Sequence, residues 1–128
     1  MSYARTVTLT GTFDETVEAV RGALADQGFG ILTEIDVQAT LQAKLGHAME
    51  PYLILGACNP PLARQALDAD RAIGLLLPCN VVVRTEGDQV IVQAIDPSTL
   101  VTLTGLDAMA PVADEAARRL DAALTALT

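Results

Sequence analysis

The amino-acid sequence predicts an α+β domain with a largely antiparallel sheet of about five strands and two long helices on one face of that sheet. Two observations carry this prediction. Two strand-like segments meet at the glycine-bearing hairpin turn Glu86-Gly87-Asp88, and two long stretches with helical apolar spacing stand apart from the strands. Because 128 residues, 51% of them hydrophobic, are enough for one core, we expect residues 1–128 to form a single domain.

The first strand and the first helix follow from the residues at the start of the chain. Residues 5–10 alternate polar and apolar side chains, which is typical of a half-buried strand. Thr12 and Glu15 have the spacing of a helix capping box, and Gly28 can close the helix. Between them, apolar residues recur at helical intervals: Phe13, Val17, Val20 and Leu24. We therefore predict a first helix of about four turns.

The middle of the chain reads as strand, short helix, strand and helix. Residues 29–35 are β-branched and aromatic enough for a second strand, and residues 37–45 have the spacing of a short amphipathic helix. Residues 51–58 are apolar on both faces, as expected of a central strand. Asn59 followed by two prolines predicts the start of a helix that ends near Asp70.

The last third supplies a hairpin and a long helix. Residues 73–77 are ambiguous between a helical turn and an extended run. Residues 81–85 and 89–95 form two strands around the turn, and Pro111 opens a final helix that continues to about residue 127. The predicted order is β-α-β-β-β-β-α, with short helical insertions between strands.

Composition excludes several classes of function. The formal charge of −8 disfavours binding to nucleic acid or anionic lipid, both of which need clustered Lys and Arg. The acidic excess fits solubility better than a specialised cationic partner. The apolar runs are far shorter than the roughly 20 residues that span a bilayer, and no secretory signal is visible, so we expect a cytoplasmic protein without a membrane segment.

Three blocks join an apolar run to a strong breaker of regular structure, and the only two cysteines lie at two of these junctions. The blocks are Leu55-Gly56-Ala57-Cys58-Asn59-Pro60, Leu76-Leu77-Pro78-Cys79 and Ile95-Asp96-Pro97. They resemble the family known as domain of unknown function 302, most specifically over residues 35–97. This resemblance implies an α+β fold like that of the TATA-binding protein, a homodimer, and no established activity.

The two cysteines are the first candidates for a functional site. Cys58 lies at the end of the third strand and Cys79 at the start of the fourth, so antiparallel pairing would place both thiols at one end of the sheet. They could form a disulfide, bind a soft metal such as copper or zinc, or act only as small buried hydrophobes. We expect their Cβ atoms to lie within about 8 Å of each other and the thiols to stay reduced.

Four polar residues complete the candidates. Asn59 has a structural role as a helix N-cap, whereas Asn80 either bonds to the backbone or faces a ligand beside the thiols. Asp96, before Pro97, is typical of a turn. His47 lies in a loop before the third strand, where it is either solvated or joins the cysteines in a copper(I) set, although that loop leads to the far end of the strand.

The functional prediction is a small non-catalytic binding or assembly module that forms a homodimer. The alternative is a thiol-redox or soft-metal protein that uses Cys58 and Cys79. A weaker alternative is an enzyme with a pocket between the sheet and the C-terminal helix. No catalytic residue and no cofactor are predicted, while a small ligand or a soft metal ion stays open as a partner.

Overall fold

The computed structural model describes residues 2–128. Its strands are β1 (Ala4–Leu9), β2 (Gly30–Asp36), β3 (Tyr52–Cys58), β4 (Cys79–Glu86) and β5 (Gln89–Ile95). Its α-helices are α1 (Phe13–Asp26), α2 (Val37–Leu45), α3 (Pro60–Ala69), α4 (Ser98–Thr104) and α5 (Ala110–Ala126), and the two 3₁₀ turns are Arg71–Leu76 and Asp107–Met109. The predicted order of five strands and two long helices is confirmed.

The strands form one sheet in the order β1-β5-β4-β3-β2, and every neighbouring pair is antiparallel. The edge strand β2 has a bulge between Ile31 and Thr33. Because the strands alternate their side chains, each contributes to both faces of the sheet. The predicted α+β class with an antiparallel sheet is confirmed.

One face of the sheet is covered by α1 and α5, which pack against each other and against the strands. The prediction that both long helices lie on the same face is confirmed. The core beneath them is aliphatic apart from Phe29, and we call this side the covered face. Its buried strand residues are Leu55, Ala57, Val81, Val83, Val90, Val92 and Ala94, and its buried helix residues are Val17, Val20, Leu24, Leu120, Ala123 and Leu124.

A second, smaller apolar cluster contains no strand residue. It joins α3, the first 3₁₀ turn, α4 and the beginning of α5 through the buried residues Ala66, Ile73, Leu100, Met109 and Val112. Helix α5 belongs to both clusters, because Val112 near its beginning is in the second and Leu120 further along is in the first. It also contacts α3. This second cluster closes one end of the molecule beside the junction between β3 and α3.

The opposite face of the sheet belongs to neither cluster, and we call it the open face. Hydrogen bonds run across three of its strands, because Arg84 Nε donates to Gln93 Oε1 at 3.2 Å and Gln93 Nε2 donates to Thr6 Oγ1 at 3.2 Å. Its residues are Ala4, Thr6, Thr8, Gln89, Ile91, Gln93, Ile95, Asn80, Val82, Arg84, Glu86, Tyr52, Ile54, Gly56, Thr33 and Ile35.

Helix α2 differs from the sequence prediction. The helix forms over the predicted residues, yet it is not amphipathic, since it has no buried residue and Leu45 is 74% exposed. Its ends are fixed by local bonds instead. The Asp36 side chain accepts from the backbone N–H of Ala39, and Gly46 takes the left-handed conformation with φ of 63°.

The structure also adds a helix that the sequence did not predict. Asp96-Pro97 is predicted only to stop β5, but α4 begins directly after it with Pro97 as its N-cap, and Asp96 Oδ1 accepts from Ser98 N at 3.0 Å in the preceding turn. Because three of its seven residues are threonines and one is valine, α4 has a low intrinsic helix propensity. The ambiguous segment at residues 73–77 forms most of the 3₁₀ turn at Arg71–Leu76, with Ile73 buried.

None of the helices over residues 2–128 is long and apolar enough to cross a membrane.

Candidate functional site

The two cysteines meet at the end of the sheet where β3 finishes and β4 begins. Ala57 of β3 is the register partner of Cys79 of β4, and Cys58 is the next residue after Ala57. Both cysteines therefore lie at the same end of the sheet, as expected. Strand alternation directs the Cys79 side chain to the covered face, with Ala57, and that of Cys58, the next residue, to the open face. Both are free thiols, and both line the same cavity.

This thiol cavity lies between α3 and α5 and has a volume of about 30 Å³. Besides the two cysteines, its lining is apolar except for Asn59. The apolar residues include Phe29, Leu62, Ala66, Leu77 and Val112. Since a water molecule needs roughly 10–15 Å³ measured in this way, the cavity has room for one ion or one or two waters. It is far too small for an organic substrate.

Asn59 fixes the wall of the thiol cavity. Its side chain is 8% exposed, and its Oδ1 accepts from the backbone N–H of Leu62 at 3.3 Å. Helix α3 therefore begins where the sequence predicted, with Asn59 as its N-cap and prolines in the first turn. The cap holds Cys58 at the junction between strand and helix.

The surroundings of Cys79 favour its neutral thiol. Burial, and secondarily the negative charge that Cys58 would carry as a thiolate, raise the pKa of Cys79 to about 11. Only a thiolate is strongly nucleophilic, and reactive cysteines have lowered pKa values. Cys79 is therefore a poor redox nucleophile at neutral pH.

Asn80 and Asp96 are not at the thiol cavity. Asn80 is exposed on the open face, whereas Cys79 lies on the covered face, and Asn80 is not among the residues that line the thiol cavity. Asp96 accepts from Ser98 N and forms an ion pair with Arg5 at 3.5 Å. The hydrogen bond from the Ser98 backbone, assisted by Arg5, lowers the pKa of Asp96. Asp96 thus acts as a turn residue.

His47 lies in the exposed loop between α2 and β3, next to the beginning of β3, whereas Cys58 ends that strand. It is not among the residues that line the thiol cavity. Across residues 2–128, no group of three or more His, Cys, Asp or Glu side chains is arranged to hold a metal ion. Any ion at the thiols would have only two protein ligands of these types.

The space between the sheet and the C-terminal helix is nearly filled. The cavity there has a volume of about 10 Å³ and is lined by apolar side chains, among them Val20, Val81 and Leu120. It offers neither room for a substrate nor a group for acid, base or nucleophilic catalysis. The enzyme with a pocket at this place is not supported.

Sequence reasoning missed an apolar patch beside the open face. Two adjoining depressions of about 390 and 550 Å³ share Ser2, Tyr3 and Ile95. One lies over the open face and the other continues to α4 and the 3₁₀ turn. We call the second the flanking patch, and its apolar members are Tyr3, Leu76, Ile95 and Leu103. Of the leucine run at residues 75–77, only Leu76 lines this patch, while Leu77 packs against the second apolar cluster.

The fold and the cavity define a small α+β protein with two free cysteines at a small, mostly apolar cavity. The family model described as domain of unknown function DUF302 matches residues 5–127, and the chain belongs to this family. The chain is also similar to the crystal structure of an uncharacterized conserved protein DUF302 from Bacillus stearothermophilus, with 30% identity, a TM-score of 0.93 and 100% of each chain covered. No curated protein matches it.

The resemblance that the three sequence blocks indicated is thus confirmed, and it extends well beyond residues 35–97 to almost the whole chain. The family is one of unknown function, so the match supplies no activity.

Proposed function

We propose that this protein is a non-catalytic assembly module that works as a homodimer, in which two copies pack through their open faces and flanking patches. The observation that carries the proposal is the open face itself, a five-stranded surface that belongs to neither core cluster. Its apolar side chains Ile54, Val82 and Ile95 are half-buried and Ile35 is 50% exposed. Apolar side chains left uncovered together on a soluble protein mark a candidate interaction site.

The charge distribution supports a second copy as the occupant. The chain has 8 basic and 16 acidic residues, yet among residues 2–128 the open face holds only Arg84 and Glu86. These two pair with each other at 3.6 Å. The face is therefore neutral in a protein of charge −8, so two identical faces can approach without local like-charge repulsion.

The size of the surface explains why the flanking patch belongs to the proposal. Five strands spaced about 4.8 Å apart, each six to eight residues long, give a footprint of roughly 550 Å². A stable interface buries about 800 Å² on each partner. Tyr3 and Leu103, which are 73% and 69% exposed, lie beside the face and would supply the difference.

The test is the mass of the protein in solution, measured by light scattering at micromolar concentration. We expect twice the chain mass of 13.4 kDa for the wild type. Val82→Glu, at the centre of the open face, should return a single-chain mass because it places two like charges opposite each other. Leu103→Glu should weaken the dimer in the same direction without touching the sheet.

Gln65→Glu is the matched control, since it adds the same charge at an exposed position of α3 and should leave the dimer intact. A single-chain mass for the wild type would reject the dimer. A Val82→Glu protein that keeps the double mass would reject the open face and direct attention to pairing at the edge strands β1 and β2.

The proposal places the protein in the cytoplasm. Its support is the pair of free cysteines, which a reducing compartment would maintain. Fractionation of cells that produce the full chain tests this location, and recovery outside the cytoplasmic fraction would contradict it.

A further inference from the structure

The two depressions on and beside the open face form one continuous groove. They have volumes of about 390 and 550 Å³ and share Ser2, Tyr3 and Ile95. Sites that bind small molecules have volumes of roughly 300–1,000 Å³ and are lined mainly by apolar and aromatic side chains, with a few polar groups that fix orientation. We call the two depressions together the open-face groove, and its size and lining are those of a ligand site.

The end of the groove over the sheet has polar groups outside the hydrogen-bonded row. Tyr52, Asn80 and Gln93 line this end. The row occupies Gln93, whose Oε1 accepts from Arg84 and whose Nε2 donates to Thr6, but it includes neither Asn80 nor Tyr52. The Asn80 amide is both a donor and an acceptor, and so is the Tyr52 hydroxyl. These two side chains can therefore hydrogen-bond an uncharged polar group of a ligand.

The other end of the groove, the flanking patch, offers mainly apolar contact. Leu76 and Leu103 line it, and Leu103 is 69% exposed. Thr99 and Thr102 also line it, but each of their hydroxyls already donates to a backbone carbonyl, at 2.8 and 3.1 Å. The groove is thus polar at one end and apolar at the other.

Charge selects the class of ligand. Among residues 2–128, no charged residue lines either part of the groove, although the chain has 8 basic and 16 acidic residues. An anion would find no cationic partner there in a chain of net charge −8, and a cation would find no carboxylate to replace its lost hydration. An uncharged ligand meets neither cost.

We infer that the open-face groove binds one neutral amphiphile per chain, with an uncharged hydrogen-bonding head at Tyr52 and Asn80 and an apolar tail against Leu76 and Leu103. The binding is non-covalent. The same residues belong to the surface that the proposed dimer would bury, so one further consequence rests on the proposed function: the amphiphile and a second copy of the chain compete for this surface.

The test uses N-phenylnaphthylamine, a neutral fluorescent amphiphile with one N–H group, in titrations of the full chain at concentrations where light scattering shows a single chain. Its matched control is anilinonaphthalene sulfonate, which has the same ring system and one negative charge. We expect one neutral probe to bind per chain and the anionic probe to bind at least about 10-fold more weakly. No saturable binding of the neutral probe would overturn the site, and equal or higher affinity for the anionic probe would overturn the neutral class.

Two comparisons locate the bound probe. Leu103→Ala should weaken binding of the neutral probe by about 10-fold, because it removes part of the apolar contact. Leu45→Ala is its matched control, since Leu45 is 74% exposed on α2 and lies outside the groove. Tyr52→Phe combined with Asn80→Ala keeps the aromatic ring, removes both hydrogen-bonding groups and should also weaken binding by about 10-fold. Equal affinity of the two leucine variants would overturn the assigned tail, and wild-type affinity of the combined variant would overturn the assigned head.

Light scattering at micromolar concentration separates this inference from the proposed dimer. With saturating neutral probe, the mass of the wild type should fall from twice the chain mass to the mass of one chain. A double mass that persists with one probe bound per chain would overturn the competition. A single-chain mass without the probe would reject the dimer, while one saturable site per chain with the variant effects above would still support the groove.

Discussion

The two faces of the sheet are built from the same strands but do different things. The covered face carries aliphatic side chains that α1 and α5 bury, with Leu55, Val83 and Val92 fully inaccessible. The open face alternates apolar residues with Thr6, Gln93 and other polar residues, and a hydrogen-bonded row holds three of its strands together. The covered face therefore supplies the core of the chain, while the open face is neutral and is the surface that the proposed dimer would bury.

The substitution with the largest expected effect on stability is Leu120→Ala, which tests the contribution of the covered face. Leu120 of α5 is fully buried on the covered face, and its loss leaves a cavity that the packed strands cannot fill. We expect the free energy of unfolding to fall by about 2–5 kcal/mol in denaturant titration. Leu45→Ala, at a 74% exposed position of α2, is the matched control and should cost less than about 0.5 kcal/mol. Equal costs would mean that α5 does not carry the core.

Cys79 and Asn80 are adjacent on β4 but face opposite sides of the sheet, so a charge at each position tests the difference between the two faces. Because the pKa of Cys79 is raised to about 11, the folded chain keeps this thiol neutral while the unfolded chain ionises it above about pH 9. The stability that this thiol contributes is thus present below pH 9 and lost between pH 9 and 11, by about 2 kcal/mol. Comparison with Cys79→Ala isolates it, since that variant should lack this part of the alkaline loss.

The control for charge is Asn80→Asp, one residue further on the open face. Asn80 is exposed, so a charge there should change the free energy of unfolding by less than about 0.5 kcal/mol at neutral pH. An alkaline loss that is the same in the wild type and Cys79→Ala would show that the covered face does not resist a charge at this position.

The faces also explain what could be predicted from sequence. Alternation and helical spacing located the five strands and both long helices, because these patterns follow from burial on the covered face. The cysteines could be placed at one end from strand order alone. Asn80 could not be assigned, because the face of a residue at a strand end depends on register. Helix α4 was missed because its N-cap, Pro97, makes no side-chain cap bond and three of its seven residues are threonines, which have a low helix propensity.

Crowding around Gly56 on the open face provides the third test. A Cβ atom at Gly56 would collide with Thr33 Oγ1 and come within 2.9 Å of Pro78 Cγ. Gly56→Ala should therefore destabilise the chain by about 1–3 kcal/mol. In a double-mutant cycle, Thr33→Ala should recover part of this loss. Gly74→Ala is the control, since nothing lies within 4 Å of its Cβ position. No coupling between positions 56 and 33 would show that the crowding comes from elsewhere.

The smallest expected effect separates exposure in the single chain from burial in the dimer. Ile35 of β2 is 50% exposed on the open face, so Ile35→Thr should change the free energy of unfolding by less than about 0.5 kcal/mol at concentrations where the chain is monomeric. If the open face is the dimer interface, the cost should grow with protein concentration, because the dimer would bury this side chain. Chemical unfolding over a hundredfold range of concentration measures both. A large loss of unfolding free energy at every concentration would mean that the single chain already covers Ile35. A small loss at every concentration would remove β2 from the interface and confine the contact to the centre of the open face and the flanking patch.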